Sequence, residues 1–495
     1  MFASVVLLVV AVLLLVLLGH NRRSKNFPPG PQTIPFFGNL LELNLEDPLT
    51  DLERLTKRYG NVYSFFIGPR PAIVINGLQA LKEAFVNKAA AFAGRPQDQF
   101  FNRIVQMKAH APGMILSDYT SGWKEHRRFG LMTLKNFGLG KYPMEQRILT
   151  ELQYLIRTLE QSNGKPVNPH LLFHKATSNI MCQVLLSKRF DYEDESINLF
   201  INFFHETSTA INGRWGLIYD AFAVVKYLPL PFQRCSKLFE SAHKRHLEEY
   251  LENKKTRVPG KPRNFIDCYL DELDKRGQDG SSFSEEQLRA SALDLHFAGT
   301  DTTASTMQFG FFYLTAYPEI QERCQEEIDK VLDGKDQASF EDRDQMPYVQ
   351  AVVHEIHRVG NIAPLSLFHM VTEDTELMGY SIPRGTTVIP NLSSALNEEG
   401  EWKYPHEFNP ENFLNDKGEF VKPEAFLPFS IGHRTCIGEN LARMEVFLTV
   451  VTLLRRFKFI WPEDAGEPDF THLFGSIQTP KPYRMKVILR ERSYE

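Results

Sequence analysis

The residues best placed to do chemistry surround Cys436, which lies between two glycines. An apolar helical pattern follows it, so its thiolate would lie just before a helix N-terminus, where free N–H groups and the helix dipole stabilise negative charge. Gly432 and Gly438 leave room for a flat group to approach the backbone. Phe429 can shield the sulfur from water, and Arg434 can pair with an anion. A single thiolate in this frame indicates haem held by one axial cysteine.

The spacing Phe-x-x-Gly-x-Arg-x-Cys-x-Gly, met at every fixed position, resembles the haem signature of the cytochrome P-450 superfamily, the haem-thiolate monooxygenases. Taken alone, Cys436 would read as a buried structural cysteine beside a helix start. The resemblance implies that Cys436 is the axial ligand of haem b iron. It also implies that Phe429, Gly432, Arg434 and Gly438 surround the cofactor.

The composition of the chain argues against several classes of function. The chain has 495 residues, 43% of them hydrophobic, and a net charge of −5, which argues against a nucleic-acid binder. The five cysteines are few, scattered and odd in number, which fits a reducing compartment rather than a disulfide framework. No Cys-x-x-Cys pair is present, which makes a zinc ribbon or an iron–sulfur site a poor reading of this sequence.

Residues 1–20 predict a transmembrane signal anchor. The apolar run from 2 to 18 has about 17 residues and spans about 25 Å as a helix, enough for a thin bilayer. Arg22, Arg23 and Lys25 follow it, so the positive-inside rule places the remainder in the cytosol. A cleaved signal peptide is the alternative, disfavoured because no basic residue precedes the run and no Ala-x-Ala site follows it.

The rest of the chain predicts a basic and proline-rich linker at 21–35 and one body at 36–495. Two strand patterns, at 62–66 and 72–75, flank a loop at 68–71 and read as a hairpin. From about 120 to 335 the pattern is helical, with loops near 258–263 and 276–284. The fold class is therefore mainly α with small β-sheets, and the haem motif implies the cytochrome P-450 fold.

A long helical pattern runs from Ser284, a plausible N-cap, to about residue 317. Its middle reads Ala-Gly-Thr-Asp-Thr-Thr, and such a polar break in an apolar helix often marks function. Thr302 beside Asp301 can form a short proton relay, and Gly299 lets the helix loosen or approach the haem. The segment resembles the family's Ala-Gly-x-Asp-Thr element, which implies catalytic roles for Asp301 and Thr302 and places Ala298 against the haem. A solvent-exposed helix face is the alternative.

His354-Glu355-Ile356-His357-Arg358 has two readings. A zinc protease motif needs histidines at i and i+4, whereas these lie at i and i+3. Glu355 and Arg358 share a helical face and resemble the family's structural Glu-x-x-Arg pair. The family implies a third partner near Asn412, where members commonly carry arginine or histidine; Glu411 or a backbone carbonyl is the alternative partner.

Haem carries two propionates, which need cations. Trp123 and Arg127 lie one helical turn apart and resemble the family's Trp-x-x-x-Arg propionate clamp. Arg434 is a second candidate. Arg95 and His369 match propionate contacts of the vertebrate microsomal members, although each read singly would be a surface ion pair.

The resemblance also implies an apolar substrate pocket, and hence a lipophilic substrate. Each residue in it could equally belong to the ordinary core. The expected lining residues are Ile104, Val105, Ile115, Phe297, Ala298, Ile362, Ala363, Leu365 and Phe474.

The sequence shows neither a complete Gly-x-Gly-x-x-Gly fingerprint nor a Walker loop, so electrons are expected from a partner. The resemblance implies that NADPH–cytochrome reductase, and also cytochrome b5, docks on a basic segment. For Lys124, Arg128 and Lys135 the alternative reading is a solvated helix face. That segment carries Lys124, His126, Arg127, Arg128 and Lys135.

The chain resembles the microsomal, drug-, fatty-acid- and steroid-oxidising vertebrate family 2. This implies hydroxylation or epoxidation of lipophilic substrates with O2 at the endoplasmic reticulum membrane. Two alternatives are a haem-thiolate isomerase or peroxide-rearranging enzyme of the same fold, and a haem-binding protein without turnover.

Overall fold

The computed structural model describes residues 25–490 apart from 101, 103–110, 112, 137–141, 211–213, 223, 224, 226, 229, 231 and 278–281. Helices dominate it, as the sequence predicts. The α-helices of this part are α1 (Pro48–Tyr59), α2 (Gly77–Lys82), α3 (Ser121–Asn136), α4 (Tyr142–Glu160), α5 (Pro169–Leu186), α6 (Glu195–Ala210), α7 (Arg214–Ala221), α8 (Phe232–Thr256), α9 (Phe265–Arg276), α10 (Glu285–Ala316), α11 (Pro318–Val331), α12 (Pro347–Gly360), α13 (Leu392–Leu396) and α14 (Glu439–Arg456).

The β-structure is small and divided. A four-stranded sheet has the order β1-β2-β6-β3, in which β2 and β6 are parallel and the other neighbours antiparallel. Three two-stranded sheets pair β4 with β5, β7 with β10 and β8 with β9. The strands are β1 (Val62–Ile67), β2 (Arg70–Ile75), β3 (His369–Met370), β4 (Thr375–Leu377), β5 (Tyr380–Ile382), β6 (Thr387–Pro390), β7 (Phe457–Ile460), β8 (His472–Leu473), β9 (Thr479–Pro480) and β10 (Lys486–Leu489).

The first hairpin is present, with one correction to its loop. The sequence predicts a four-residue loop at 68–71, whereas Arg70 pairs with Ile67 and Pro71 with Phe66, so only Gly68 and Pro69 form the turn. Gly68 has φ +58°, a conformation that favours glycine. Pro71 is tolerated in β2 because the parallel pairing of β2 with β6 begins one residue later, at Ala72.

The central helix α10 begins where the sequence predicts. The Ser284 side chain accepts a hydrogen bond from the Gln287 N–H over 3.1 Å, which caps the first turn. The helix packs along α5 and also contacts α6, α12 and α14. It is buried over most of its length because apolar residues occupy all of its faces.

The predicted transmembrane anchor at 1–20 lies outside the described residues, as do Arg22 and Arg23 of the linker. Within the part of the chain that the structure describes, every helix is too short or too polar to cross a bilayer.

Candidate functional site

Cys436 ends a tight loop directly before α14. Its N–H donates to the carbonyl of Phe429 over 3.0 Å, and the N–H groups of Gly438 and Glu439 contact its sulfur. Burial is the largest influence on the thiol and raises its pKa, while these N–H groups and the charge of Arg127 act in the opposite direction. The residue is nevertheless exposed. Dense protein therefore surrounds the sulfur, while part of the residue remains accessible to solvent.

The two glycines of the signature have different surroundings. Gly432 has φ +80°, and a Cβ there would lie 1.8 Å from the carbonyl oxygen of Phe85. Its missing side chain therefore permits close packing against that segment of backbone. A Cβ on Gly438 would lie 3.9 Å from the sulfur of Cys436, at ordinary contact distance. Only Gly438 thus borders the sulfur directly.

The middle of α10 is the one part of its buried stretch that is partly exposed. Between residues 290 and 315, only Phe297, Ala298, Gly299 and Thr302 are half-buried, and the rest are buried. A Cβ on Gly299 would lie 2.4 Å from the sulfur of Met181, so this glycine permits close approach of α5. Thr302 donates to the Ala298 carbonyl over 2.5 Å, which leaves its oxygen free to accept. Ala298 and Thr302 share one helical face, and both are half-buried.

Asp301 lies on another side of the same helix and is 2% exposed. His174 Nε2 lies 2.9 Å from its Oδ1, and the Ser208 hydroxyl donates to its Oδ2. Burial by itself would raise the pKa of Asp301, but these two hydrogen bonds and the charge of His174 hold it below its ordinary value. No hydrogen bond joins Asp301 to Thr302 among the described residues. The two members of the predicted relay therefore do not contact each other in this arrangement.

Three arginines converge beside the Cys436 loop. Arg95 donates to the carbonyls of residues 367 and 368 over 2.6 and 2.8 Å. Arg434 donates to the carbonyls of residues 93 and 117, and its guanidinium lies 3.9 Å from the centre of the Trp123 ring. Arg127 donates to the carbonyl that precedes Cys436. The sequence prediction that these residues share one site is consistent with this clustering.

The arginine cluster has little negative charge beside it among the described residues: Asp118 acts on Arg434 but forms no ion pair with it. Burial, followed by repulsion from Arg127, lowers the pKa of Arg95 to about 9; burial, followed by repulsion from Arg95, lowers that of Arg434 to about 8. Within the described ranges none of the three forms an ion pair with a carboxylate. Because buried charges are normally paired, an anion held at this cluster would supply the missing partners.

His369 lies at the same site and is 1% exposed. Its Nδ1 donates to the Phe92 carbonyl over 2.7 Å, while its Nε2 has no partner among the described residues. Burial, with the charge of Arg95, holds its pKa far below the ordinary value. A dianion with two carboxylates would neutralise the arginines and give this nitrogen a partner, so the residues present fit the two propionates of haem.

Glu355 and Arg358 form a buried, bidentate ion pair. Two nitrogens of Arg358 each lie 2.7 Å from one oxygen of Glu355, and both side chains have no exposed area. Arg358 also donates to four backbone carbonyls in the segment 396–407. Every strong donor of this arginine is therefore occupied, which fits the structural role implied by the family.

Asn412 is the third partner of this pair. Its side-chain amide donates to Glu355 over 3.1 Å and to the carbonyl of Tyr404 over 3.1 Å. The N–H of Asn409 donates to the same carboxylate oxygen over 2.8 Å. Glu411, the alternative considered from the sequence, instead forms an exposed ion pair with Arg323. The amide thus takes the place of the more common cationic side chain.

Five of the predicted substrate residues pack in three apolar clusters. Ile115 and Phe297 pack on one, Leu365 and Phe474 belong to a second, and Ile362 packs on the main core. Leu365 is buried, and the other described members of the set are half-buried, as a lining would be. Two predicted contacts, Ile104 and Val105, lie outside the described residues. Ala363 is half-buried.

Asp294 is a residue that the sequence reasoning missed. It is 6% exposed and accepts the N–H groups of Met114 and Ile115 over 2.8 and 2.9 Å. A Cβ on Gly113 would lie 2.2 Å from its carboxylate, so a glycine is required there. Burial raises the pKa of Asp294 to about 7, against those hydrogen bonds. The signal was a carboxylate seven residues before Asp301, on the same helical face.

The predicted basic docking segment needs correction at two positions. His126 is 4% exposed, with Nε2 3.1 Å from the carbonyl of residue 282, and so does not belong to an outer surface. Arg127 points to the Cys436 loop. Lys124, Arg128 and Lys135 are exposed along one face of α3.

Comparison with known proteins agrees with this geometry. A family profile described as Cytochrome P450 matches residues 28–487. The chain is 39% identical to Cytochrome P450 2J5 of Mus musculus over 98% of this chain and 96% of the relative. It is 38% identical to Cytochrome P450 2F3 of Capra hircus, over 98% and 99%. It is 40% identical to Cytochrome P450 2J2 of Homo sapiens, over 90% and 88%.

These similarities decide between the alternatives left by the sequence. A match along nearly the whole chain supports a monooxygenase that binds haem b through a cysteine thiolate. They also support the resemblance to vertebrate family 2, since each relative carries that number. The chain belongs to the cytochrome P450 family of haem-thiolate monooxygenases.

Proposed function

We propose that this protein inserts one oxygen atom from O2 into lipophilic substrates, by hydroxylation or epoxidation. The reaction takes place at the endoplasmic reticulum membrane. Cys436 is the axial ligand, and NADPH–cytochrome reductase supplies the electrons. Fatty acids, steroids and xenobiotics are the substrate classes. The observation that carries the assignment is the cluster of Arg95, Arg127 and Arg434 without a carboxylate partner among the described residues, beside the Cys436 loop.

Haem supplies the iron chemistry that activates dioxygen, and a thiolate ligand donates electron density that favours O–O cleavage. Cys436 would hold the iron as a thiolate, since metal coordination deprotonates a thiol whose pKa burial alone raises. The N–H groups of Gly438 and Glu439 then stabilise the negative sulfur. Phe429 precedes the loop and packs against His357 of α12 with ring centres 5.1 Å apart, which ties the loop to the structural helix.

The arginine cluster would hold the propionates. Arg95 and Arg434 keep their positions through backbone carbonyls, so their guanidinium groups are oriented before an anion arrives. The ring of Trp123 packs against the guanidinium of Arg434. The indole N–H of Trp123 donates to the carbonyl of Met114 over 3.0 Å, which holds the ring in place. His369 would take up a proton there, since a nearby negative charge favours the cationic ring against the effects of burial and of Arg95.

Proton handling is assigned to Thr302 and Asp301. Thr302 lies on the partly exposed face of α10 and can pass a proton through its hydroxyl, while Ala298 on the same face leaves space beside it. Asp301 is held away from this face by His174 and Ser208. Delivery of a proton from Asp301 to Thr302 therefore requires its side chain to rotate or an intervening water.

The substrate would lie against half-buried apolar side chains, with Ile115 and Phe297 on one side and Ile362 and Phe474 on another. Such a lining excludes water and provides few polar partners, which favours lipophilic molecules. Asp294 fixes the segment that carries Ile115 through two backbone hydrogen bonds. It therefore positions one wall of the pocket.

Exposed apolar side chains outside the predicted anchor also favour membrane attachment. Apolar side chains are exposed on the N-terminal segment after the linker, among them Phe36 (54%) and Leu41 (65%), and near α7 at Tyr227 (76%) and Leu228 (47%). The ring of Phe37 lies 5.4 Å from that of Phe222, which joins the two segments. Exposed apolar side chains on two segments in contact fit insertion into the lipid interface beside the anchor at 1–20.

The reductase would dock on α3. Lys124, Arg128 and Lys135 are exposed and spaced along one helical face, with exposed Leu131 and Met132 between them. The charges would attract an acidic partner, and the apolar side chains would supply contact area. Cytochrome b5 could use the same surface as a second electron donor.

The test is turnover in vesicles that contain the full chain, NADPH–cytochrome reductase and a panel of fatty acids, steroids and lipophilic drugs, with products identified by mass spectrometry. Oxygenated products that require NADPH and reductase are expected, together with the long-wavelength carbon monoxide spectrum of thiolate haem. Cys436→Ser should lose both. Product formation by Cys436→Ser, with an unchanged spectrum, would refute the assignment.

A further inference from the structure

A groove lies at the end of α14 that is farthest from Cys436. It is formed by α4, α14 and the segment 336–338, which follows α11, and its volume is about 360 Å³. Cavities of about 300–1,000 Å³ commonly hold small molecules. α14 begins at Glu439, and the groove contacts its last residues, Arg455 and Arg456. Because this helix of 18 residues is about 27 Å long, the α4–α14 groove is separate from the site beside Cys436.

The base of the α4–α14 groove is apolar. Leu149 and Ile156 of α4 and Ala338 of the segment 336–338 line it and are buried. The two α4 residues lie two helical turns apart on one face, so they form a continuous strip. A ligand with an apolar body would cover this strip and gain the free energy of removing apolar surface from water.

Two arginines of α14 form one side of the rim, and the protein itself holds them in place. Arg456 donates through two nitrogens to one oxygen of Glu160, over 3.0 and 2.7 Å. Arg455 donates to the carbonyls of Leu332 and Asp336, over 3.1 and 3.2 Å. These contacts join α14 to α4 and to the chain after α11, so they fix the walls of the groove relative to one another.

On the α4 side of the rim, Arg157 has no carboxylate partner among the described residues. It is exposed, and its guanidinium carbon lies 5.6 Å from the centre of the Tyr154 ring. Three arginines line the groove beside two carboxylates, those of Glu160 and Asp336, which leaves an excess of one positive charge. Since Glu160 is already bound to Arg456, Arg157 is the cation that can take up a new anion.

We propose that the α4–α14 groove is a second binding site, for a small anion with a flat apolar body and one carboxylate. The apolar body would lie against Leu149 and Ile156, and the carboxylate would face Arg157, whose planar guanidinium matches it in two parallel hydrogen bonds. The side-chain amides of Gln153 and Gln337 also line the groove and can donate to the same group. This inference goes beyond the proposed function, because binding here requires neither turnover nor a reductase.

The test measures binding of a fluorinated naphthoate to the full-length, haem-loaded protein in lipid nanodiscs by fluorine NMR, with empty nanodiscs as the blank. The neutral naphthamide and the cationic naphthylmethylammonium of the same ring system are the matched probes. Because the rim is open to solvent, we expect a Kd of roughly 0.1–1 mM for the carboxylate. The amide should bind about five-fold more weakly or worse, and the ammonium ion most weakly. The Soret band of haem should stay unchanged, since the probe binds away from Cys436.

Two exposed substitutions locate the site. Gln153→Trp places a bulky ring in the groove and should weaken binding of the carboxylate about ten-fold or more. Arg157→Gln removes the charge and should make the carboxylate and the amide bind equally, within about two-fold. Arg58→Gln is the control and should bind as the wild type does. Arg58 is also exposed beside a tyrosine ring, at 5.3 Å from the centre of Tyr59, yet it lies on α1 outside the groove.

Saturable binding that Gln153→Trp weakens, with a preference for the carboxylate that Arg157→Gln abolishes, would support the proposal. Equal affinity in Gln153→Trp and the wild type would overturn it, as would tighter binding of the ammonium ion or no saturation below about 5 mM. A Soret shift that follows the binding curve would place the probe beside the haem and also refute the proposal. Urea unfolding checks each variant; if Gln153→Trp is destabilised, the charge preference of Arg157→Gln decides.

Discussion

Two groups of buried arginine in this protein have opposite surroundings. Arg358 has no exposed area and is saturated by a bidentate carboxylate and four carbonyls. Arg434 is 9% exposed, rests on carbonyls and a tryptophan ring, and is repelled by Arg95 and Arg127. A satisfied buried charge serves the fold, whereas an unsatisfied one indicates the place of a ligand.

Removal of Glu355 should have the largest effect. Glu355→Ala leaves Arg358 buried without a carboxylate, and breaking such a pair costs about 3–5 kcal/mol. We expect loss of most folded protein and of the thiolate-haem spectrum, measured by urea unfolding and carbon monoxide binding. Glu411→Gln is the control, because its pair with Arg323 is exposed and should contribute less than about 1 kcal/mol. Comparable losses in both variants would contradict the contrast.

Asp294 extends the comparison of satisfied and unsatisfied buried charges to a carboxylate, since it forms no ion pair among the described residues. Burial raises its pKa to about 7, well above the ordinary aspartate value of 3.8. As pH rises from about 4 to 7, the unfolded chain releases this proton before the folded chain does, so the folded state loses stability. The loss is at most ~4 kcal/mol, taken as about 1.4 kcal/mol for each unit of pKa.

Asp294→Asn should therefore become more stable relative to wild type as pH rises toward 7, and the difference should be constant above 7. Chemical unfolding at pH 5.5, 6.5 and 7.5 measures it. Asp344→Asn, at a side chain that is 70% exposed, should show no such trend. If the Asp294→Asn difference is independent of pH over this range, the carboxylate is ionised throughout.

Much of this architecture could be predicted because it depends on local patterns and a specific motif. The central helix starts at Ser284 as its cap signal indicates, and the Glu355–Arg358 pair lies on one face as its spacing requires. The partners that come from distant segments could not be predicted. His174 meets Asp301 across 127 positions of sequence, and nothing near either residue specifies that contact.

The sequence also does not reveal which polar side chains are buried. His126 and Lys124 are both polar members of the same basic segment, yet one is buried against the carbonyl of residue 282 and the other is exposed. Likewise the missing Cβ of Gly299 admits Met181, a contact that no local pattern indicates, while a loosened helix or an approach to the haem at Gly299 stays a prediction. In both cases, the element that packs against the residue decides its role, and that element lies elsewhere in the chain.

Replacement of Arg434 should weaken haem binding and leave folding nearly unchanged, whereas replacement of Glu355 should disrupt folding itself. Arg434→Gln removes one repelling charge and should change the stability of the haem-free protein by less than about 1 kcal/mol, because the lost carbonyl bonds and the relieved repulsion oppose each other. Haem affinity should fall roughly 10- to 100-fold, the effect of one charge-assisted contact. Haem titration of the haem-free protein measures this. Arg443→Gln, which removes an arginine already paired with Glu439 at 2.7 Å, should bind haem nearly as wild type.

A smaller loss of stability than that of Glu355→Ala is expected at Asn412, which completes the satisfied network without a charge. Asn412→Ala removes one hydrogen bond to Glu355 and one to the carbonyl of Tyr404, while Arg358 and the Asn409 N–H still hold the carboxylate. The loss should be about 1–2 kcal/mol in urea unfolding, with unchanged haem spectrum. Asn412→His, which restores the more common type of side chain, should recover part of it only if the ring reaches Glu355. A loss as large as that of Glu355→Ala would mean that the amide, and not the arginine, holds the carboxylate in place.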